Sequence, residues 1–292
     1  MNGSTDRREE PTDKMTEAST PLPTLSPSAL GAYEICGRRG QYYHDRTIER
    51  TTTMPLAVGS SYHAVLEHSY RTGEIELDDL IAIGMLDLQE RVEADDFVSH
   101  PGDMDMLEAA ANLERMIMSW HTTEGTRWHN ISDVEYKVEA QLGQHHRMLG
   151  FIDLVVNDPL HGIILIDHKT AGKMWGGAKK AGDPRKLVQA ALYAESYAMQ
   201  TGEEPSHFAY DVMTYAGRFH RVWVPIHSMA RAPFIDRWRE VSDSIFIHES
   251  NGIPMPTNPS GFLCSPKWCS YWDMCPMGAE LDSRLTQEVS LT

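Results

Sequence analysis

Between residues 150 and 170 the chain reads GFIDLVVNDPLHGIILIDHKT, two short apolar runs, Phe151 to Val156 and Ile163 to Ile166, parted by Asn157, Asp158, Pro159 and Gly162. Runs of that length, rich in β-branched residues and split by turn formers, predict a β-hairpin. Side chains alternate along a strand, so Asp167 and Lys169 share a face, and Asp153 on the partner strand can be set beside them. Charge inside an apolar hairpin is costly unless compensated, which leaves two readings of the cluster: an ion pair or a metal site. An isolated Asp-x-Lys at the end of an edge strand is more often a solvated pair.

Elsewhere the pattern switches between helical and strand periods. Ser26 as N-cap and Pro27 at the first helical position open a predicted helix through SPSALGAYEICGRRGQYYHDR, with apolar positions at Leu30, Tyr33 and Ile35. A second helix is expected near Gly59 in GSSYHAVLEHSY, and residues 77–120 read as a largely helical, acidic insertion. Val134 to Leu142 alternates as a strand, with Glu135, Lys137 and Glu139 on one face. A helix over Arg185 to Gln200, a strand pair over 207–226 turning at Ala216 and Gly217, and a helix over Ser228 to Ser250 complete the series. The expected fold class is α/β, with helices around a mostly antiparallel or mixed sheet. Residues 1–24 lack apolar periodicity and read as a disordered tail. The folded domain is then 25–276, followed by a short tail, 277–292.

The 292 residues suffice for an ample core, and the net charge of −16 argues against indiscriminate coating of nucleic acid. Charge is segregated, however. Lys169, Lys173, Lys179, Lys180, Arg185 and Lys186 follow the hairpin with Asp183 as the only acid among them, whereas Glu74 to Glu108 is acidic. No run is long enough for a membrane span and no apolar signal core opens the chain, so a cytoplasmic protein is expected. Neither a Walker-type phosphate loop nor a Gly-x-Ser-x-Gly elbow is present, which excludes an ATP-driven motor.

Four modest motifs occur in order: Gly59, His63, Leu66 and Glu67 on a helix; Gly150 and Asp153 on a strand; Asp167, Lys169 and Thr170 on the next strand; Gln189 and Tyr193, four apart on one face of a helix. Each alone is weak. The series over about residues 25–276 resembles the RecB-type branch of the PD-(D/E)XK nuclease superfamily. That resemblance implies a nuclease core in which His63, Asp153, Asp167 and the backbone carbonyl of His168 ligate Mg²⁺ or Mn²⁺. The residue types suit the chemistry: hard carboxylate oxygens hold a cation that activates water, imidazole shifts preference somewhat towards Mn²⁺, and Lys169 can orient or deprotonate the water. Gln189 and Tyr193 would position nucleic acid or the lysine. Glu139 reads equally well as a supporting carboxylate and as an exposed strand charge.

All four cysteines fall into one pattern: Cys36 on the first helix, then Cys264, Cys269 and Cys275 within residues 264–275. Metal ligation is favoured over burial of plain thiols. The arrangement resembles the iron–sulfur branch of the family, which includes the AddB nuclease domain and CRISPR-associated exonucleases, and implies a [4Fe–4S] cluster joining the two ends of the domain. The gap of four residues between Cys264 and Cys269 departs from the commoner spacing of two, and Zn²⁺ would also accept four thiolates.

The combined expectation is a divalent-metal-dependent exonuclease acting on single-stranded DNA or DNA ends in recombination, replication or repair, with a helicase or recombination protein as a partner. Trp175, Tyr193 and Trp268 are candidate stacking surfaces, and Lys173, Lys179, Lys180 and Arg185 candidate phosphate contacts. The alternative is a catalytically weak, nuclease-like DNA-binding module that recruits such a partner.

Overall fold

The computed structural model describes residues 22–45, 47–48, 51–99, 104–123, 126–173, 184–226, 230–261, 263–266 and 268–281. Most of the expected N-terminal tail, and the C-terminal tail beyond residue 281, therefore lie outside the described residues.

The predicted hairpin forms and is longer than its apolar runs: β3 spans Arg147–Asp158 and β4 Gly162–Ala171, joined through Gly162 at a φ of 73°. It is the centre of a six-stranded mixed sheet in the order β1-β3-β4-β5-β6, with β2 also on β3. β1 is Thr24–Leu25, β2 Ile131–Ala140, β5 His207–Thr214 and β6 Phe219–Pro225. β2 runs antiparallel along one side of β3, while the other side is shared: β1 pairs in parallel with Arg147 and Met148, and β4 pairs only from Leu154 onward. β3 and β4 thus part company immediately before Asp153. β4 and β5 are parallel, connected through α6 (Pro184–Thr201), and β5 and β6 form a second hairpin around Gly217 at a φ of 71°.

Helices cover both faces of this sheet. One core layer packs Leu25, Leu30, Val155, Leu165, Leu192, Phe208 and Trp238 between the sheet, α1 (Pro27–Ile35), α6 and α7 (Ala232–Ser250). A second core joins α3 (Met54–Thr72), α4 (Leu77–Glu93) and α5 (Met106–Thr122) around Val65, Leu80, Leu113 and Trp120, and meets the sheet at Met213. The acidic segment 77–120 accordingly supplies two helices with apolar stripes turned inward, a helical insertion that packs on α3 through a shared core.

Several predicted boundaries differ from the structure: Thr24, expected in the tail, opens β1, β2 spans Ile131–Ala140 instead of Val134 to Leu142, α7 begins at Ala232 instead of Ser228, and the first two helices differ as follows. The first helix is broken at Cys36, whose extended backbone (φ −162°, ψ 121°) ends α1 and starts α2 (Gly37–His44). The break lets α2 dock against the C-terminal loop, where Arg38 N donates to Pro256 O at 2.9 Å; a Cβ on Gly37 would lie 2.9 Å from the same oxygen. The second helix begins at Met54 rather than near Gly59, because Pro55 suits the first turn of a helix.

Candidate active site

α3 presents one stripe to the sheet at the point where β3 and β4 diverge. Gly59, His63, Glu67 and Tyr70 recur at helical spacing, while Val58, Tyr62, Val65, Leu66 and Ser69 turn into the core. Gly59 sits on this stripe because the helix lies against β4: a Cβ there would come within 2.8 Å of Thr170 Oγ1. That close approach brings His63 Nδ1 to 3.6 Å from Asp153 Oδ2. Gly150 is required for a parallel reason, since a Cβ on it would meet Tyr193 Cε1 at 2.4 Å. Both motif glycines are therefore packing requirements that seat functional neighbours.

The structure brings the predicted hairpin residues together as their alternation suggested. Asp153 Oδ2 accepts from the backbone nitrogen of His168 at 2.5 Å, which ties β3 to β4 beyond the last ladder pair. Lys169 Nζ lies 2.6 Å from Asp167 Oδ2 as an ion pair, and that oxygen, fully buried, has no aligned hydrogen bond. Gln189 Nε2 donates to Asp167 Oδ1 at 2.7 Å. The Tyr193 ring packs against Gly150, with its hydroxyl beside Gln189 and the backbone of Phe151. Gln189 and Tyr193 thus hold one carboxylate and the strand that carries the other.

The charges do not balance. Burial, and then the Asp167 charge, push the Asp153 carboxyl up to about 8. Burial works against the Lys169 ammonium, but Asp167 and Asp153 outweigh it and raise its pKa. The His63 imidazole is lowered by burial and by Lys169, which keeps it neutral and available as a nitrogen ligand. With two carboxylates facing one ammonium, Asp153 keeps its proton in the metal-free chain near neutral pH, and a hard cation that displaced that proton would supply the missing counter-charge. The donor set of His63, Asp153 and Asp167 fits Mg²⁺ or Mn²⁺ on that ground. Among the described residues, no three His, Cys, Asp or Glu side chains are drawn into ligand geometry in the metal-free chain.

Residues that sequence reasoning did not single out complete the site. Glu135, opposite Asp153 in the register between Val134↔Leu154 and Tyr136↔Ile152, has a φ of 54°. It shares a cavity with His63, Glu67, Asp153 and His168, and burial together with Asp153 pushes its carboxyl up to about 7. Glu139 instead pairs with Arg147 and with Lys137, the latter at 2.9 Å. The His168 ring, buried on the opposite face of β4 from Lys169, stacks on Tyr70 at 6.1 Å. Behind it on β5, Asp211 is held bidentately by Arg221 (2.6 and 2.8 Å) and by Trp128 Nε1 at 2.8 Å, with the guanidinium 3.9 Å over the Trp128 ring. No sequence signal distinguished Glu135 from Lys137 or Glu139, because all three alternate alike.

The cysteines also converge. Cys36, Cys264, Cys269 and Cys275 are free thiols lining one cavity with Arg38, Arg39 and Tyr271. Burial and then the other three sulfurs raise the Cys264 thiol. Four thiols from both ends of the domain facing one space form a donor set that suits a soft metal or an iron–sulfur group. Of the proposed nucleic-acid contacts, Lys173 is exposed at the end of β4 and Trp268 is exposed in the cysteine segment. Trp175, Lys179 and Lys180 lie outside the described residues, and of Arg185 only the backbone is described. No described helix is long and apolar enough to cross a membrane.

Comparison with known proteins agrees with this architecture. The solved structure of a protein from Eubacterium rectale whose exonuclease designation is itself provisional superposes with a TM-score of 0.52 at 12% identity, covering 82% of this chain and 86% of that one. A second, SSO0001, aligns over 86% of this chain and 95% of its own at 13% identity, but with a TM-score of 0.35. No curated protein matches the chain. The profile of the PD-(D/E)XK nuclease superfamily, whose members generally use divalent metals such as Mg²⁺ or Mn²⁺, matches residues 24–276. With that match, and with Asp153, Asp167 and Lys169 gathered where β3 and β4 part, the chain belongs to the PD-(D/E)XK nuclease superfamily.

Proposed function

We propose that the protein is a divalent-metal-dependent deoxyribonuclease that degrades single-stranded DNA or DNA from its ends, and that its four cysteines hold a [4Fe–4S] cluster. The observation that carries the first part is the grouping of a buried Asp167 and a largely buried Asp153 with one part-exposed ammonium, that of Lys169. His63, Asp153 and Asp167 would hold Mg²⁺ or Mn²⁺, together with the His168 carbonyl. Such an ion supplies a water made nucleophilic near neutral pH and neutralises charge at the scissile phosphate. Lys169 orients that water or takes its proton and stabilises the charge that grows on phosphate. Gln189 fixes the Asp167 carboxylate, and Tyr193, locked against Gly150, keeps β3 in place. Lys173, Lys179, Lys180 and Arg185 would draw in the backbone of the strand, with Trp175 and Trp268 as stacking surfaces.

The four-thiol cavity supports the second part: Cys36 lies at the break between α1 and α2, and the other three cysteines lie in the loop that α2 touches. A group ligated there would fasten the two ends of the domain. A cytoplasmic role in recombination, replication or repair beside a helicase or recombination partner fits this reading.

The test uses protein purified without oxygen and single and double strands labelled at the 5′ or 3′ end, with Mg²⁺, Mn²⁺ or EDTA. Cleavage should require the cation and should vanish in folded Asp167→Ala and Lys169→Ala proteins. Undiminished cleavage by either folded variant overturns the catalytic assignment. The purified protein should be brown, with about four irons and four sulfides per chain; a colourless protein with one zinc replaces the cluster reading and leaves the nuclease reading intact.

A further inference from the structure

We propose that the aromatic patch around Trp223, on the edge strand β6, is a docking surface for single-stranded DNA, with a nucleobase stacked on the Trp223 indole and the neighbouring cations on its phosphates. The proposal rests on the reading of the protein as a nuclease and adds a place where the strand is held outside the residues that cut it.

β6 closes one end of the sheet, and Trp223 stands opposite Ala209 in its register with β5. The sheet buries only a small core here, Leu154, Val156, Ile164, Ile166 and Ala209, and the apolar side chains packed on it, Tyr70, Trp128, Ile131 and Val134, are themselves only partly buried. Trp223 is 40% exposed. Its ring lies 5.9 Å from Trp128, 5.6 Å from His207 and 6.1 Å from His161, the last tilted by only 29°. Neighbouring rings fix the indole in place before any ligand arrives, which lowers the entropy lost on binding. An exposed aromatic group on an unpaired edge strand is an association hazard, and patches of this kind mark surfaces that bind something.

Charge and continuity favour a nucleic-acid strand as the occupant. Arg127 and His129, on either side of Trp128, are exposed, and the Arg221 guanidinium lies 3.9 Å over the Trp128 ring and 5.8 Å from the centre of Trp223. The carboxylates bonded to these groups are already engaged: Asp211 with Arg221 and Trp128, and Asp158 with the backbone nitrogens of Leu160 and His161 and with the His161 ring. A second copy docked face to face would set like charges against each other, whereas a polyanion with planar bases complements both the cations and the rings. Continuity with the cleavage site comes through Trp128, whose backbone nitrogen donates to the Tyr70 hydroxyl at 3.3 Å; Tyr70 lines the cavity that also holds His63, Glu135 and Asp153. The rings therefore run from the border of that cavity to the edge of the sheet, and one strand can occupy both. Stacking needs an unpaired base, so the surface selects single strands over duplex.

The experiment uses the full chain purified without oxygen and measures, in EDTA, the anisotropy of a fluorescein-labelled thymidine oligomer and of a duplex of equal length, with contacts mapped by photocrosslinking to iodouracil-substituted strands. The wild-type protein should bind the single strand more tightly than the duplex, release it as salt rises, and crosslink at the peptide that contains Trp223. Trp223→Ala should weaken single-strand binding about tenfold and lose that crosslink, and Trp223→Phe should keep most of the affinity. His161→Ala, at an exposed turn, should weaken binding by a smaller factor and serves if Trp223→Ala misfolds. Equal affinity for duplex, undiminished binding by the folded Ala variants, or a concentration-dependent dimer that Trp223→Ala abolishes overturns the surface. Cleavage in Mg²⁺ is scored apart. Wild-type protein that cleaves but does not crosslink at Trp223 keeps the nuclease reading and loses this surface, whereas protein that crosslinks there and cleaves nothing keeps the surface and loses the nuclease reading.

Discussion

Replacing Asp153 by Asn should stabilise the metal-free protein while abolishing cleavage, and the two effects have one cause. The carboxyl has a pKa near 3.8 in the unfolded chain and about 8 in the fold, raised by burial and by Asp167. Across that interval the native state keeps a proton that the unfolded state has released. Stability contributed by this group is therefore complete below about pH 4 and is lost as pH rises towards 8. Between about pH 5 and pH 8 the difference amounts to roughly three protonation units, about 4 kcal/mol, and sharing of charge with Asp167 and Lys169 brings the expected loss to about 2 to 4 kcal/mol. An Asn at 153 still offers an oxygen to the His168 N–H but carries no charge. In EDTA, urea titrations at the two pH values should show the wild-type protein losing stability with pH and Asp153→Asn losing less by that amount. Saturating Mn²⁺ should cancel the wild-type deficit at pH 8, because the cation then supplies the missing counter-charge. The difference between the two proteins isolates residue 153 from Glu135, which titrates in the same direction, and from His146, whose pKa burial lowers to about 4 and which acts in the opposite one. Equal pH slopes in the two proteins, or an Asn variant less stable than wild type at pH 8 in EDTA, would refute the charge imbalance argued for the site.

Gly150→Ala should cost about 2 kcal/mol or more and depress cleavage, because the new methyl strikes the Tyr193 ring; denaturant midpoints and single-turnover rates read both, and a neutral effect denies the close contact. Gly59→Ala should be similarly harmful, and Thr170→Ala in the same chain should restore much of the loss; strict additivity in this double-mutant cycle would show that α3 does not rest on Thr170. Arg221→Met strands the buried Asp211 carboxylate and should cost about 3 to 5 kcal/mol at neutral pH, most of it recovered when Asp211→Asn is added; a small loss measured by urea unfolding would mean that the pair is dispensable.

The hairpin was legible because period-two alternation, turn residues and β-branched runs are local properties, and they also placed Asp167 and Lys169 on one face. The same local logic located the helices, and the ordered motifs indicated which polar residues belong together. Local pattern could not say that β4 leaves β3 at Leu154, which is what opens a space at Asp153, since strand pairing is a contest among distant segments. Nor could it separate Glu135 from Glu139, four residues apart on one strand: a φ of 54° and the register with β3 send one into the site, and Arg147 draws the other away. Cys36 read as a mid-helix residue until the C-terminal loop, more than two hundred positions away, supplied the contacts that break the helix there. The sequence by itself determined which segments become strands and helices and which residues can bear the chemistry, because propensity and periodicity act over a few residues. Tertiary structure alone decided which charges are buried together without enough counter-charge, because burial and Coulomb energy depend on distances through space that no spacing along the chain specifies.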